Sequence, residues 1–226
     1  MQSRSISVII PALDEEEHIG DCIRSAKELD PLEIIVVDGG SADRSAKIAE
    51  EARAVVIQSV KGRGIQMNRG ASLARGEILL FLHADTRMPE VKESFSSALF
   101  NGCVGGFFKL KFDDDSLSTR LVGMFANVRA KLLSLPYGDQ AIFIRKEIFE
   151  KLSGFREYPF LEDIDLAIRV RKFGRLKCLP FYVIASSRRI KRDYPLSPII
   201  VSLRNVFIAL LFLFGLSPFR LIRLYK

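Results

Sequence analysis

Three apolar runs near the start of the chain stop at acids or glycines, and this pattern constrains the fold more than any other feature. Ile6-Ser7-Val8-Ile9-Ile10 runs into Pro11-Ala12-Leu13-Asp14-Glu15. Leu32-Glu33-Ile34-Ile35-Val36-Val37 runs into Asp38-Gly39-Gly40-Ser41, and Ile78-Leu79-Leu80-Phe81-Leu82 into His83-Ala84-Asp85-Thr86. Short continuous apolar runs between turn signals read as strands buried on both faces. Open α/β sheets take their ligands at the carboxyl ends of such strands. The three ends therefore predict one crevice for a polar ligand, a nucleotide with a cation.

The segments between the runs carry helical patterns. Asp14 is placed to cap a helix reaching about residue 29, with acids in its first turn. Ser41 or Asp43 is placed to cap one over 45–52. A strand over 54–57, a helix over 66–74 and a strand over 78–82 follow. This alternation predicts a mostly parallel central sheet with right-handed crossovers, flanked by helices. Beyond residue 100 the pattern changes. Strands are expected over 104–112, 141–144, 176–179 and 182–185. Helices are expected over 116–133 and 162–173. At 226 residues and 48% hydrophobic content, a single α/β domain with a full core is the default.

The net charge of +7 hides an asymmetry. Residues 166–226 hold 13 Lys/Arg and one acid, Asp193, a net +12, while the first 165 residues carry −5. A basic end on an acidic body suggests an anionic partner there: phosphate, nucleic acid or anionic lipid. The same end holds an uninterrupted apolar run of eleven residues, 206–216, short of the ~20 needed to span a bilayer. A helix packed on the sheet and a peripheral membrane helix both fit, the latter because basic residues flank the run. Cys22, Cys103 and Cys178 are odd in number, scattered and without C-x-x-C, which supports a reducing compartment. The start, Met1-Gln2-Ser3-Arg4, leads into too short an apolar run for a secretory leader. A cytoplasmic location, peripheral on the inner face of the membrane, is the expectation.

Four segments carry chemistry. Asp38-Gly39-Gly40-Ser41 offers a carboxylate that can accept from a base N–H such as that of uracil, or simply a capping acid in a strand–turn–helix. Residues 61–70, Lys-Gly-Arg-Gly-Ile-Gln-Met-Asn-Arg-Gly, form a glycine-broken basic loop that can present N–H groups and a guanidinium to phosphates. They match neither the mononucleotide P-loop nor G-x-G-x-x-G. Asp85 is placed to hold a divalent ion bridging phosphates. His83 reads as a manganese ligand, a phosphate donor or a strand-end filler, and the preference of hard cations for oxygen favours the last two. Glu162-Asp163-Ile164-Asp165 sets three acids at a helix start behind apolar Pro159-Phe160-Leu161. That is either dipole-favourable capping or a buried like-charge cluster suited to a general base.

In order, P-A-L-D-E, V-V-D-G-G-S, G-R-G-x-x-M-N-x-G, F-L-H-A-D-T and L-E-D-I-D-L resemble the family 2 glycosyltransferases of the GT-A type. The resemblance covers roughly residues 5–185. Residues 135–140 and 187–189 look like a small, single-domain bacterial subgroup. The resemblance implies a GT-A (nucleotide-diphospho-sugar transferase) fold over 1–195 with a basic, apolar helical tail over 196–226. Pro11, Leu13 and Glu15 would line the nucleoside pocket, and Asp38 and Gly39 would contact the base. Gly62, Arg63, Met67 and Asn68 would flank the nucleotide, with His83 and Ala84 beside it. Asp85 would hold Mn2+ or Mg2+. Asp163 would deprotonate the acceptor hydroxyl, supported by Glu162 and Asp165. Asp139, Gln140, Arg188 and Arg189 are candidates for acceptor or phosphate contacts.

His83 stands where D-x-D has its first aspartate, which weakens the implied metal dependence. Residues 186–190, Ser-Ser-Arg-Arg-Ile, lack the Q-x-x-R-W of processive synthases, which favours single transfer. The expected donor is a nucleotide-diphosphate sugar, a UDP-sugar by the Asp38 reading. The acceptor is open, with a lipid-linked or hydrophobic molecule in view. A nucleotidyltransferase is disfavoured because Leu13-Asp14-Glu15-Glu16-Glu17 would repel a triphosphate. A non-catalytic membrane-surface adaptor would give Asp85 and Asp163 no role. Nucleic acid is not expected, since no basic–aromatic recognition motif is present.

Overall fold

The computed structural model describes residues 5–91, 103–188, 190 and 198–225, with backbone alone for 198–203 and 225. An eight-stranded sheet forms its centre, in the order β3-β2-β1-β4-β7-β6-β8-β5. The first half is β1 (Ile6–Ala12), β2 (Glu33–Asp38), β3 (Val55–Gln58) and β4 (Ile78–Phe81), paired in parallel throughout. Helices α1 (Ile19–Lys27), α2 (Ser45–Glu51) and α3 (Arg63–Leu73) make the crossovers. The second half is mixed. β7 (Phe143–Arg145) runs antiparallel to both β4 and β6 (Gly105–Phe112). β8 (Leu176–Ala185) runs parallel to β6, and the two-residue β5 (Thr86–Arg87) closes the far edge against β8. Four of the seven pairings are parallel, as the alternation predicts.

The apolar runs bury both faces of each strand. Val8, Ile10, Val36 and Leu80 pack with Ile19, Cys22 and Ile23 of α1. Ile9, Val37, Leu79 and Phe81 face the other way, against Met67 and Ala71 of α3 and Ile164 of α6 (Glu162–Val170). Gly70 lets α3 lie close, since a Cβ there would sit 2.5 Å from Ile9 Cγ2. The rings of Phe81, Phe149 and Phe155 pack with centroids 4.8–5.4 Å apart. Phe149 belongs to α5 (Lys146–Lys151), a helix of six residues that, like the two-residue β5, is too short to show a period in the sequence.

Other differences have local causes. The first helix starts at Ile19 because residues 14–16 are stitched to the β2–α2 loop. Asp14 N–H donates to Ser41 Oγ at 3.0 Å, Asp14 Oδ1 accepts from Ala42 N–H at 2.8 Å, and Glu15 N–H donates to Ser45 Oγ at 2.7 Å. Asp14 therefore caps no helix. The third helix begins three residues early, straight after Gly62 at φ 148°. The expected strands 176–179 and 182–185 are one strand that passes through Pro180, with a register irregularity opposite Phe107/Lys109.

The long helix α4 (Leu117–Leu133) is capped by Ser116, whose side chain accepts from Thr119 N–H. At the C-terminus α7 (Pro198–Leu213) turns at Gly215, φ 92°, into α8 (Pro218–Tyr225). Gly215 and Leu216 N–H groups close this turn on Phe212 and Leu211 carbonyls, and Pro218 opens the next helix. Ile208 and Leu221 are buried in the core on the α3 face of the sheet. Among the described residues no helix is long and apolar enough to cross a membrane.

Candidate active site

A cavity of about 220 Å³ opens at the carboxyl end of β4. Its polar wall brings together Arg63 from α3, His83 and Asp85 after β4, Asp139 from the turn Gly138–Gln140, Asp163 from α6, and Arg129 from α4. Its other wall is apolar and includes Phe112, Val122, Phe125 and Ile208.

Asp163 is fixed by the backbone. Its Oδ2 accepts from Gly138 N–H at 2.6 Å and its Oδ1 from Ile164 N–H at 2.7 Å. The turn and the helix start are thus held on one wall. Leu161 precedes α6 in the left-handed region, φ 64°, a strained choice for a leucine that swings the acids into the interior. Glu162 is 2% exposed and its Oε1 meets Arg63 Nε at 3.0 Å. Burial pushes the Glu162 carboxyl up; Arg63 opposes this and Asp163 adds to it. Asp165 points away from the cavity. Its Oδ2 accepts from Arg169 Nε at 2.6 Å, and Arg169 also ties down the carbonyls of Leu152 and Gly154. Asp165 anchors α6, and the support role expected for it belongs to the fold.

Asp139 is a second perturbed acid of the site. Burial pushes it up to about 6, with Arg129 opposing and Asp163 and Asp85 adding repulsion. Its Oδ1 is buried and meets no hydrogen-bond partner among the described residues. Gln140, fully buried, faces away: its amide donates to Phe108 O at 3.2 Å and its Oε1 accepts from Tyr137 N–H at 3.3 Å. Gln140 braces the turn on β6. Arg129 lies over the Tyr137 ring, 3.4 Å from its centroid, and donates to Leu135 O.

Asp85 and Arg188 meet because β5 pairs with the end of β8. Thr86 is opposite Ala185, and Ser186 N–H donates to Asp85 O at 3.0 Å. Arg188 Nη2 then contacts Glu15 Oε2 and lies 3.4 Å from Asp85 Oδ2. Glu15 is nearly buried and reaches toward Asp85. A cation that bridges phosphates asks little of a protein, often one carboxylate, because the substrate supplies the other oxygens. Asp85 fits that requirement. Among the described residues no cluster of three or more His, Cys, Asp or Glu side chains could hold a metal by itself.

The remaining candidates lie beside the cavity. Pro11 is buried near the end of β1, and Leu13, just past that end, is half-buried. Asp38, 2% exposed, uses both oxygens on its own turn: Oδ2 accepts from Gly40 and Ser41 N–H at 3.2 and 3.1 Å, and Oδ1 from Ser41 Oγ at 2.5 Å. Gly39 N–H donates to Ala12 O, joining the β1 and β2 ends. Met67 is core, and Asn68 clamps the 155 loop through both Phe155 N–H and O. Ala84 packs in the core on the α1 side of the sheet, while His83 faces the cavity against Gly138. Arg189 lies outside the described residues.

Sequence reasoning passed over Gln66. It is buried in α3, and its amide donates to Ala12 O at 2.9 Å and Val37 O at 2.8 Å, while its Oε1 accepts from Gly62 N–H at 3.3 Å. One side chain thus ties together the ends of β1, β2 and the basic loop. The available signal was a long polar side chain between Gly62 and Gly70 on the sheet-facing side of the helix.

A cavity at the carboxyl end of β4, with an acid after that strand and a second acidic group at a buried helix start, is the arrangement of GT-A glycosyltransferases. The family model "Glycosyl transferase family 2" matches residues 7–152, and the chain belongs to that family. A PGL/p-HBAD biosynthesis glycosyltransferase of Mycobacterium bovis is 30% identical over 203 residues, covering 83% of this chain and 77% of that protein. Five other curated relatives are matched over only 27–47% of their own length. Among solved structures, a mannosyltransferase from Pyrobaculum calidifontis in complex with GDP-Man and Mn2+ superposes with TM-score 0.69 at 18% identity, covering 100% of this chain and 70% of that one. Glucosyl-3-phosphoglycerate synthase from Mycobacterium tuberculosis, in complex with Mn2+, UDP and glucosyl-3-phosphoglycerate, gives 0.61 at 22% identity, covering 92% and 79%. These likenesses establish the GT-A fold.

Proposed function

We propose that the chain is an inverting glycosyltransferase that moves one sugar from a nucleotide-diphosphate donor, a UDP-sugar, to an acceptor hydroxyl without processive elongation. The observation that carries this reading is the cavity in which Arg63, His83, Asp85, Asp139 and Asp163 converge from four separate segments. Asp163 is the acceptor base. Backbone N–H groups hold its carboxylate in place, so little reorganisation accompanies proton uptake. Arg63, steadied by Glu162, presents positive charge toward the diphosphate. Asp85, with donor phosphate oxygens, would hold a divalent cation whose chemistry there is neutralisation of the leaving diphosphate. Asp38 and Gly39 are assigned to the base of the nucleotide, a reading supported by the joining of the β1 and β2 ends through Gly39 N–H and Ala12 O.

The apolar wall formed by Phe112, Val122, Phe125 and Ile208 supports an acceptor with a hydrophobic portion. Exposed Phe207 and Leu210 on α7, Phe214 in the turn after it and Phe219 on α8, beside Arg220 and Arg223, support docking of the 196–226 tail on an anionic membrane surface.

Asp163→Asn keeps the size and removes the base, and because its NH2 faces one of the two backbone N–H donors, a melting curve accompanies the kinetics. With a panel of nucleotide-diphosphate sugars, the variant should retain donor binding by calorimetry and lose turnover about 10²-fold or more. Wild-type turnover by this variant would remove Asp163 from the role.

A further inference from the structure

Glu15 and Asp85 approach one another from the ends of β1 and β4, and one guanidinium lies between them. Arg188 reaches them across 173 and 103 residues of sequence. The carboxylate side chains are 10% and 12% exposed, and that of Arg188 is 33% exposed. Ser186 secures this approach twice: its N–H donates to Asp85 O, and its Oγ accepts from Arg188 N–H at 3.3 Å. Two nearly buried carboxylates repel each other and call for a cation, since uncompensated buried charge is costly. Arg188 supplies that cation from the chain itself.

From this we infer that Arg188 is a tethered counter-ion that occupies the cation position on Asp85 until donor binds, and then exchanges Asp85 for the donor diphosphate. The inference rests on the reading of Asp85 as the cation ligand and adds an order of events to it. A guanidinium pairs with carboxylate and phosphate through the same fork geometry, so the exchange keeps its hydrogen bonds in kind. The exposed third of Arg188 leaves it free to turn toward the cavity, which Asp85 and Ser186 both line. Two consequences follow. A divalent ion alone meets an already neutralised Asp85 and binds weakly. The diphosphate draws Arg188 away, so nucleotide and metal each favour the binding of the other.

The test measures Mn2+ binding by the loss of its free-ion electron paramagnetic resonance signal, on nucleotide-free protein and with UDP present. Circular dichroism and melting confirm that each variant is folded. Arg188→Gln should bind Mn2+ on the order of tenfold more tightly than wild type without UDP, and Asp85→Asn in the same chain should abolish the gain. Arg188→Lys, which keeps the charge and loses the fork, should fall between them. With chelator present, Arg188→Gln should weaken UDP binding by about tenfold in calorimetry. Unchanged or weaker Mn2+ binding by Arg188→Gln, beside normal Asp85-dependent uptake with UDP, would overturn the tethered counter-ion alone. Absence of Asp85-dependent uptake in wild type with UDP would instead remove the cation assignment of the proposed function, and the exchange with it.

Discussion

Gly138 N–H donates to Asp163 Oδ2 at 2.6 Å, across 25 residues of chain. This bond ties the turn carrying Asp139 to the first turn of α6. It also explains why residue 138 is a glycine: a Cβ there would stand 2.5 Å from His83 Nε2. One close contact therefore sets the positions of His83, Asp139 and Asp163 together.

Gly138→Ala should consequently act on turnover more than on stability. The added methyl meets the His83 imidazole at 2.5 Å, so the imidazole, the turn and the Asp163 hydrogen bond share a shift of a fraction of an ångström or more. Misplacement of that order costs up to about 10²-fold in rate. Steady-state kinetics beside a melting curve would check it. A loss of melting temperature with undiminished turnover would contradict the prediction.

Asp139 makes stability depend on pH. Its pKa in the fold, about 6, lies above that of an unfolded aspartate. The folded state therefore favours the protonated form. That contribution is fully present below about pH 4 and is lost as pH rises through about 6, where ionised Asp139 costs roughly 2–3 kcal/mol. Asp139→Asn should raise the melting temperature by roughly 5 °C at about pH 8 and change it little at about pH 4. Equal shifts at both values would count against a buried, titrating Asp139.

Gln66→Ala removes the brace between Ala12, Val37 and Gly62. Unmet buried acceptors cost about 1–3 kcal/mol. UDP affinity should fall as well, because the ends of β1 and β2 lose their shared anchor. Urea unfolding and calorimetry on one preparation would separate the two effects, and unaltered UDP affinity would confine Gln66 to stability.

Phe214, 82% exposed at the end of the apolar run, offers a test of the membrane reading that leaves the core alone. The full chain should sediment with anionic vesicles at low salt and less at high salt, each nearby basic residue contributing roughly 1 kcal/mol. Phe214→Ser should reduce sedimentation without altering the melting temperature. Failure of the wild type to sediment with vesicles of either charge would leave α7 and α8 as ordinary packing helices.

The alternation of apolar runs with helical segments already determined the parallel half of the sheet, because strands buried on both faces must be continuously apolar. The acids at the strand ends and at residues 162–163 were legible for a related reason: charge placed beside such a core needs a function or a partner. What sequence could not supply was partnership at long range. Asn68 reads from sequence as a residue flanking the nucleotide, and only the fold shows that its amide bonds to Phe155, 87 residues away. Residues 176–185 form one strand because pairing with β6 carries the chain through Pro180. Only the curl of the sheet, with β5 closing on β8, sets Arg188 between Glu15 and Asp85. Local pattern is decided by burial within a few residues, whereas the pairing of charges is decided by which strand ends the tertiary fold makes neighbours.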